Sequence, residues 1–168
     1  MDNNEHEIRG NILSLLERNA KLTAEEIAVY LGIPESNIRE EIATLEKEQI
    51  ICGYGAFINW DRTDSEFLTA LIEVKVTPSR GQGFNRIAER ICRFDEVKAV
   101  YLMSGGYDLA VIIEGKSLKE ISHFVTDKLS PLESVLSTAT HFVLKKYKDH
   151  GVIFNERGDN DERMIVSP

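Results

Sequence analysis

Residues 101–115 read Tyr-Leu-Met-Ser-Gly-Gly-Tyr-Asp-Leu-Ala-Val-Ile-Ile-Glu-Gly, two apolar runs around a Ser-Gly-Gly-Tyr-Asp turn. Glycines let a backbone take positive φ and leave its N–H groups uncovered. The pattern makes a tight hairpin, and it also makes a candidate cradle for a small anion such as a carboxylate. From these residues alone a plain hairpin turn is the favoured reading, because such turns are common.

Other reactive side chains do not converge. The four histidines (His6, His123, His141, His150) show neither His-Glu-x-x-His nor Cys/His metal spacing. There is no Gly-x-Ser-x-Gly elbow and no phosphate-binding loop of the Gly-Lys-Ser/Thr type. Ser104, His123 and Asp108 form a triad only on paper, since nothing in their spacing requires proximity. The expectation is therefore no catalytic residue, no metal and no cofactor, and an enzyme is the weakest of three readings.

The 168 residues suit two small domains better than one. A hydrophobic content of 42% supports a real core. The charged fraction of 29%, with no apolar run near the roughly 18 residues of a membrane span, argues against a membrane protein. The start, Met-Asp-Asn-Asn-Glu-His-Glu, lacks the basic-then-apolar order of an export signal. A cytoplasmic location follows as the expectation, with Cys52 and Cys92 as free thiols. Charge is uneven along the chain. The first 60 residues carry 5 Lys and Arg against 11 Asp and Glu, whereas residues 61–150 are balanced.

Three short helices are predicted in the first segment. Asn4 with Glu7 fits a capping box, and Ile8, Ile12, Leu15 and Leu16 follow at helical spacing. Thr23 with Glu26 is a second box, opening a helix that Gly32 is placed to end. Pro34 suits the first position of a third helix, whose stripe is Ile38, Ile42 and Leu45. Two helices joined by Leu31–Gly32–Ile33 make a helix-turn-helix candidate. Residues 50–60, apolar and punctuated by glycine, read as a wing or linker strand.

After a polar joint at residues 61–65, strand and helix alternate. Ala70, Ile72, Val74 and Val76 share one strand face. Phe84, Ile87, Ala88, Ile91 and Cys92 follow helical spacing. Strands are predicted over 97–103 and 107–114, a helix through Leu118, Ile121, Val125 and Leu129, and a last strand over 137–147. The order β-α-β-β-α-β is the ferredoxin-like arrangement, an antiparallel sheet with both helices on one face. Its other face needs a cover, and a second copy of the chain is the simplest. The expected organisation is α+β: a winged helix-turn-helix domain over 1–60, a ferredoxin-like domain over 61–152 and a polar tail over 153–168.

In this order of elements the chain resembles the Lrp/AsnC family of leucine-responsive, or feast/famine, transcriptional regulators. The residues that carry the resemblance are Leu45-Glu46, Ile50-Ile51, Gly53-Tyr54 and Ala56, then Val100 through Ser104-Gly105-Gly106-Tyr107-Asp108-Leu109, then Ser137-Thr138-Ala139-Thr140. It covers roughly residues 5–150. The resemblance implies a sequence-specific DNA-binding regulator that forms dimers, with octamers as a further assembly, and binds operator half-sites. It also implies an amino acid or related effector bound between second domains. The implied effector residues are Ser104, Gly105, Gly106, Tyr107 and Asp108, with Ser137, Thr138 and Thr140. Gly105 and Gly106 would hold a carboxylate by their N–H groups, Asp108 an ammonium group, and the hydroxyls would complete either set.

The DNA-facing segment is short of positive charge. Where the family carries arginines late in the third helix, this chain has Glu41 and Thr44. Helical geometry points Ser36, Glu40, Ala43 and Lys47 outward, flanked by Asn37, Glu41 and Thr44. The candidate DNA contacts are Thr23, Ser36, Asn37, Arg39, Glu40, Thr44 and Lys47, with Arg9, Arg18 or Lys21 as backbone contacts. Weak half-site binding rescued by oligomeric avidity is the expectation. The alternative is an amino-acid-sensing oligomer that makes little or no direct contact with DNA.

Overall fold

The computed structural model describes residues 3–64, 67–78 and 83–154, with the side chains of residues 3–5 excepted. The Asn4–Glu7 capping box and the tail over 155–168 lie outside the described residues. The chain divides into two compact units, Met1–Phe57 and Ile58–Pro168.

The first unit is three helices, α1 (Asn3–Arg18), α2 (Ala24–Leu31) and α3 (Glu35–Lys47). Their apolar stripes meet in a core of Ile12, Leu16, Ile27, Ile38 and Leu45, all buried. The Thr23 hydroxyl accepts from the Glu26 N–H at 3.2 Å, while the Glu26 carboxylate accepts from the Thr23 N–H at 2.8 Å, so two end groups of α2 are satisfied reciprocally. Gly32, at φ 66°, turns the chain out of α2 in the left-handed conformation that a side chain would resist. Pro34 sits one place earlier than expected. It precedes the helix at ψ 137°, and α3 begins at Glu35.

Residues 50–60 correct the expectation of a wing or linker strand. No strand forms there, and only a 3-10 turn at Trp60–Arg62 is regular. A strand exists by exchanging hydrogen bonds with a neighbouring strand, and among the described residues no strand pairs with this segment.

The second unit is built on β1 (Leu68–Val76), α4 (Asn85–Ile91), β2 (Val97–Leu102), β3 (Leu109–Gly115), α5 (Leu118–His123) and β4 (Val135–Phe142). The sheet is antiparallel with strand order β2-β3-β1-β4, the ferredoxin-like arrangement. Alternate residues of β1 (Ala70, Ile72, Val74, Val76) and of β3 (Leu109, Val111, Ile113) are buried under Ile87 and Ile91 of α4 and Ile121 of α5. The opposite face carries Leu71, Glu73, Lys75, Tyr101, Ile112, Ala139 and His141. Tyr101 is exposed there, and His141 Nε2 lies 3.3 Å from Glu73 Oε1.

Three boundaries differ from expectation. The helix after β3 does not keep a single period. Beyond His123 it winds as a π-helix over Phe124–Leu129, where Ser130 N–H donates to the Val125 carbonyl at 2.8 Å. The wider turn brings Ile121, Phe124 and Leu129 to the core, and Leu118, expected inside, is 58% exposed. The last long strand ends at Phe142 rather than Tyr147. The chain then forms a small hairpin of β5 (Lys148–Asp149) and β6 (Val152–Ile153), so ordered structure runs past residue 152. Cys92, placed on the apolar stripe of α4, is exposed beyond the end of that helix. Both Cys52 and Cys92 are free thiols.

The Lys128 ammonium, bonded to the Glu96 carboxylate, holds that acid below the usual carboxylate range against the opposing effect of burial. A carboxylate with a lowered folded pKa stabilises the fold above its unfolded pKa and loses that contribution as pH falls through the folded value. Glu96→Gln should therefore lower stability modestly at neutral pH and converge with the native chain in acid, which flattens the acid limb of a stability-versus-pH curve. Urea melts across the acid range measure it.

Candidate functional site

The first candidate surface is the outward side of α3. Ile38 and Leu45 are buried, so Ser36, Asn37, Arg39, Glu40, Ala43, Thr44 and Lys47 are exposed. The structure thus brings six of the seven predicted DNA-facing residues onto one helix. Thr23 differs. It is exposed, but its hydroxyl is occupied by the capping box. Ser36 donates to Asn37 Oδ1 at 3.1 Å, and the Thr44 hydroxyl donates to the Glu40 carbonyl at 2.9 Å.

The acids of this helix are mostly paired. Arg9, on α1, bonds the Glu41 carboxylate through Nε and the Glu48 carboxylate through Nη2, the latter at 2.8 Å. Those two hydrogen bonds hold the Arg9 guanidinium above its ordinary pKa. Glu41 is therefore half-buried and turned toward α1 instead of flanking the outward ridge. Arg9, expected as a backbone contact, is a clamp between α1 and α3. Arg39 bonds Glu35 one turn back, Nε to Oε1 at 2.8 Å, and the Tyr54 hydroxyl donates to Glu46 at 2.8 Å. No local pattern announces the Arg9 clamp, because its partners are 32 and 39 residues away.

The second candidate surface is the β2–β3 hairpin. Ser104, Gly105 and Gly106 are exposed, while Tyr107 and Asp108 are half-buried. Both Tyr107 and Asp108, expected within the strand, precede it. Gly105 has φ 151°, a conformation reserved largely for glycine, whereas Gly106 does not have positive φ. A Cβ at either position would meet nothing within 4 Å. Gly105→Ala should therefore cost about 1–3 kcal/mol by backbone strain, and Gly106→Ala almost nothing in thermal melts. A loss of ligand response in Gly106→Ala without loss of stability would mark the cradle.

Asp108 already has a structural role. Its Oδ2 accepts from the Val76 N–H at 2.8 Å, and its own N–H donates to the Val74 carbonyl at 3.0 Å. The carboxylate thus pins the hairpin to the end of β1, a role the sequence did not disclose. Asp108→Ala should cost about 1–2 kcal/mol by leaving that N–H without its acceptor. Asp108→Asn keeps an acceptor oxygen and removes only the charge. If melts of Asp108→Asn match the native chain while its ligand response is lost, the charge serves an ammonium group.

Ser137, Thr138 and Thr140 do not form one set. Thr138 pairs with Val74 and Thr140 with Ile72, so both lie on the helix-bearing face, while Ser137 pairs with Lys75 and faces the opposite way. Asp108 and Thr138 flank β1 at Val74 from its two sides, two strand spacings or roughly 10 Å apart. Within one chain the hairpin and the strand share an end of the sheet without enclosing a site. A cavity of about 370 Å³ lies close to the hairpin, lined by Phe84, Ala88, Val100, Leu102 and Leu109 with Glu89 at its polar side. Leu102 and Leu109 are the residues on which the hairpin loop is mounted. Sequence reading missed this groove, because the cavity arises from how α4 crosses the β2 edge.

Among the described residues no cluster of His, Cys, Asp and Glu is arranged to hold a metal, and no helix is long and apolar enough to cross a membrane. Residues 69–153 match the profile of the Lrp/AsnC ligand binding domain. A Bacillus subtilis protein described as the uncharacterized HTH-type transcriptional regulator YugG is 53% identical over 158 residues, spanning 94% of this chain and 95% of that one. The fold is also similar to transcriptional regulator NMB0573 of Neisseria meningitidis, solved as a complex with L-Met. Its TM-score is 0.68 at 23% identity, covering 89% of this chain and 93% of the other. E. coli AsnC gives a TM-score of 0.63 at 20% identity, covering 87% and 93%.

Proposed function

This chain belongs to the Lrp/AsnC family of transcriptional regulators, and from that premise we propose that α3 contacts operator DNA while the hairpin end of its sheet binds an amino acid. It is a regulator of transcription and not an enzyme. The observation that carries the DNA reading is the exposed polar ridge of α3, behind a capped α2 and a left-handed turn at Gly32. In a helix-turn-helix the second helix enters the major groove by its amino-terminal residues. Ser36, Asn37 and Glu40 occupy that end, and Lys47 the end that reaches backbone phosphate.

For the effector, Gly105 and Gly106 offer open N–H groups to a carboxylate, and the groove beside Leu102 offers apolar room for an aliphatic side chain. That the neighbour NMB0573 was solved with L-Met supports an amino acid as the ligand class. Two copies of the chain sharing the open sheet face would set two α3 helices on paired half-sites. Work in the cytoplasm accords with DNA as the partner.

The test is a titration of the purified chain against the DNA upstream of its own gene, at several salt concentrations, with and without each of the twenty amino acids. Sequence-selective binding that changes with one amino acid is the expected result. Absence of selective binding at low salt with every amino acid present would overturn the DNA reading. A thermal-shift panel reports ligand binding separately, since a ligand that binds the folded state raises its melting temperature.

A further inference from the structure

We infer that Glu40 is the residue through which this chain reads sequence, accepting a hydrogen bond from the N4 amino group of a cytosine in the major groove. The inference rests on the DNA reading above and names what that surface recognises. Of the five acids on α3 and its carboxyl-terminal cap, four are bonded within the unit: Glu35 to Arg39, Glu41 and Glu48 to Arg9, and Glu46 to Tyr54. Among the described residues the Glu40 carboxylate has no such partner, and it is exposed. The four satisfied acids lie on the flanks of the helix. Glu40 lies on the outward ridge with Ser36 one turn before it and Ala43 and Lys47 after it.

An unpaired carboxylate on a surface that must approach phosphate weakens binding to every sequence. Such a residue is useful where it meets a donor that offsets the repulsion. Of the four bases only cytosine presents an amino group in the major groove without a neighbouring acceptor on the same base. Guanine and thymine would set acceptor oxygens against Glu40, and adenine sets N7 beside its amino group. Penalising the wrong bases is itself a source of specificity. Around Glu40 the small side chains of Ser36 and Ala43 leave room for close approach, and Asn37 and Thr44 supply neighbouring groups that either donate or accept.

The experiment selects bound duplexes from a randomised DNA pool with the full chain and with Glu40→Gln, after circular dichroism shows both fold alike. The native chain should enrich a cytosine at one position of each half-site. Replacing that cytosine should weaken native binding roughly tenfold or more. Glu40→Gln should lose the cytosine and turn toward adenine, which a glutamine side chain pairs on its N6 and N7. If Glu40→Gln enriches the same motif, the inference is overturned while the DNA reading stands. Uniformly tighter binding without a changed motif overturns it equally, because Glu40 would then only repel phosphate. Should the native chain enrich no motif at low salt, the DNA reading fails first and takes the inference with it.

Discussion

Leu45→Ala is expected to unfold the first unit under conditions in which the second stays intact, and with it to abolish DNA binding. Leu45 is fully buried and is one of five side chains that make up the buried core of α1, α2 and α3. Truncating a buried leucine costs about 2–5 kcal/mol, a large part of the stability of a small unit. The truncation leaves a cavity between α3 and the two helices against which α3 packs, so the exposed ridge proposed to contact DNA is no longer supported. Hydrogen exchange resolved along the chain measures this. Protection should fall across residues 3–47 and persist in β1 and β3. Unchanged protection in α3, or unchanged operator affinity, would contradict this packing.

The second large effect is electrostatic. Arg39→Ala with Lys47→Ala should weaken operator binding about tenfold or more at moderate salt, and lower the slope of log affinity against log salt by about one unit for each phosphate no longer neutralised. Lys47 has no ion-pair partner among the described residues, and the Arg39–Glu35 pair is an exposed one that costs little to exchange for phosphate. Thermal stability and any amino-acid shift should be unaltered, because both side chains lie on the surface of the first unit. If affinity and slope do not move, α3 does not lie against the DNA backbone. The chain then acts as an amino-acid-sensing oligomer that makes little direct use of DNA.

The two effects separate because the acidic balance of the first 60 residues overstates the repulsion that α3 presents. Arg9 bridges Glu41 and Glu48 and offsets one of their two charges, and Arg39 offsets Glu35. What faces outward is a polar ridge with one unpaired acid, which suits selective and salt-sensitive binding.

Much of the fold could be read from the chain because its signals are local. The Thr23–Glu26 box, the left-handed Gly32 and the buried Ala70–Ile72–Val74–Val76 alternation each depend on residues within a turn or a strand of one another. The family resemblance rests on the same short motifs, and the match over residues 69–153 accords with it. The misreadings have one character. The strand expected over 50–60 required a ladder partner that one chain does not supply. The helix through Leu118 was read on a constant period, and the π turn at Phe124–Leu129 broke it. The last strand stopped at Phe142, where pairing with β1 ends.

At the candidate sites the division is the same. Helical and strand periodicity was enough to show which residue types stand on the α3 ridge, and that a glycine turn joins β2 to β3. It took packing in three dimensions to show that Arg9 clamps Glu41 and that Asp108 is bonded to the Val76 N–H. Those outcomes depend on pairings between residues tens of positions apart and on strand register. Neither leaves a periodic trace, since an ion pair or a backbone hydrogen bond forms wherever packing happens to bring its two groups together.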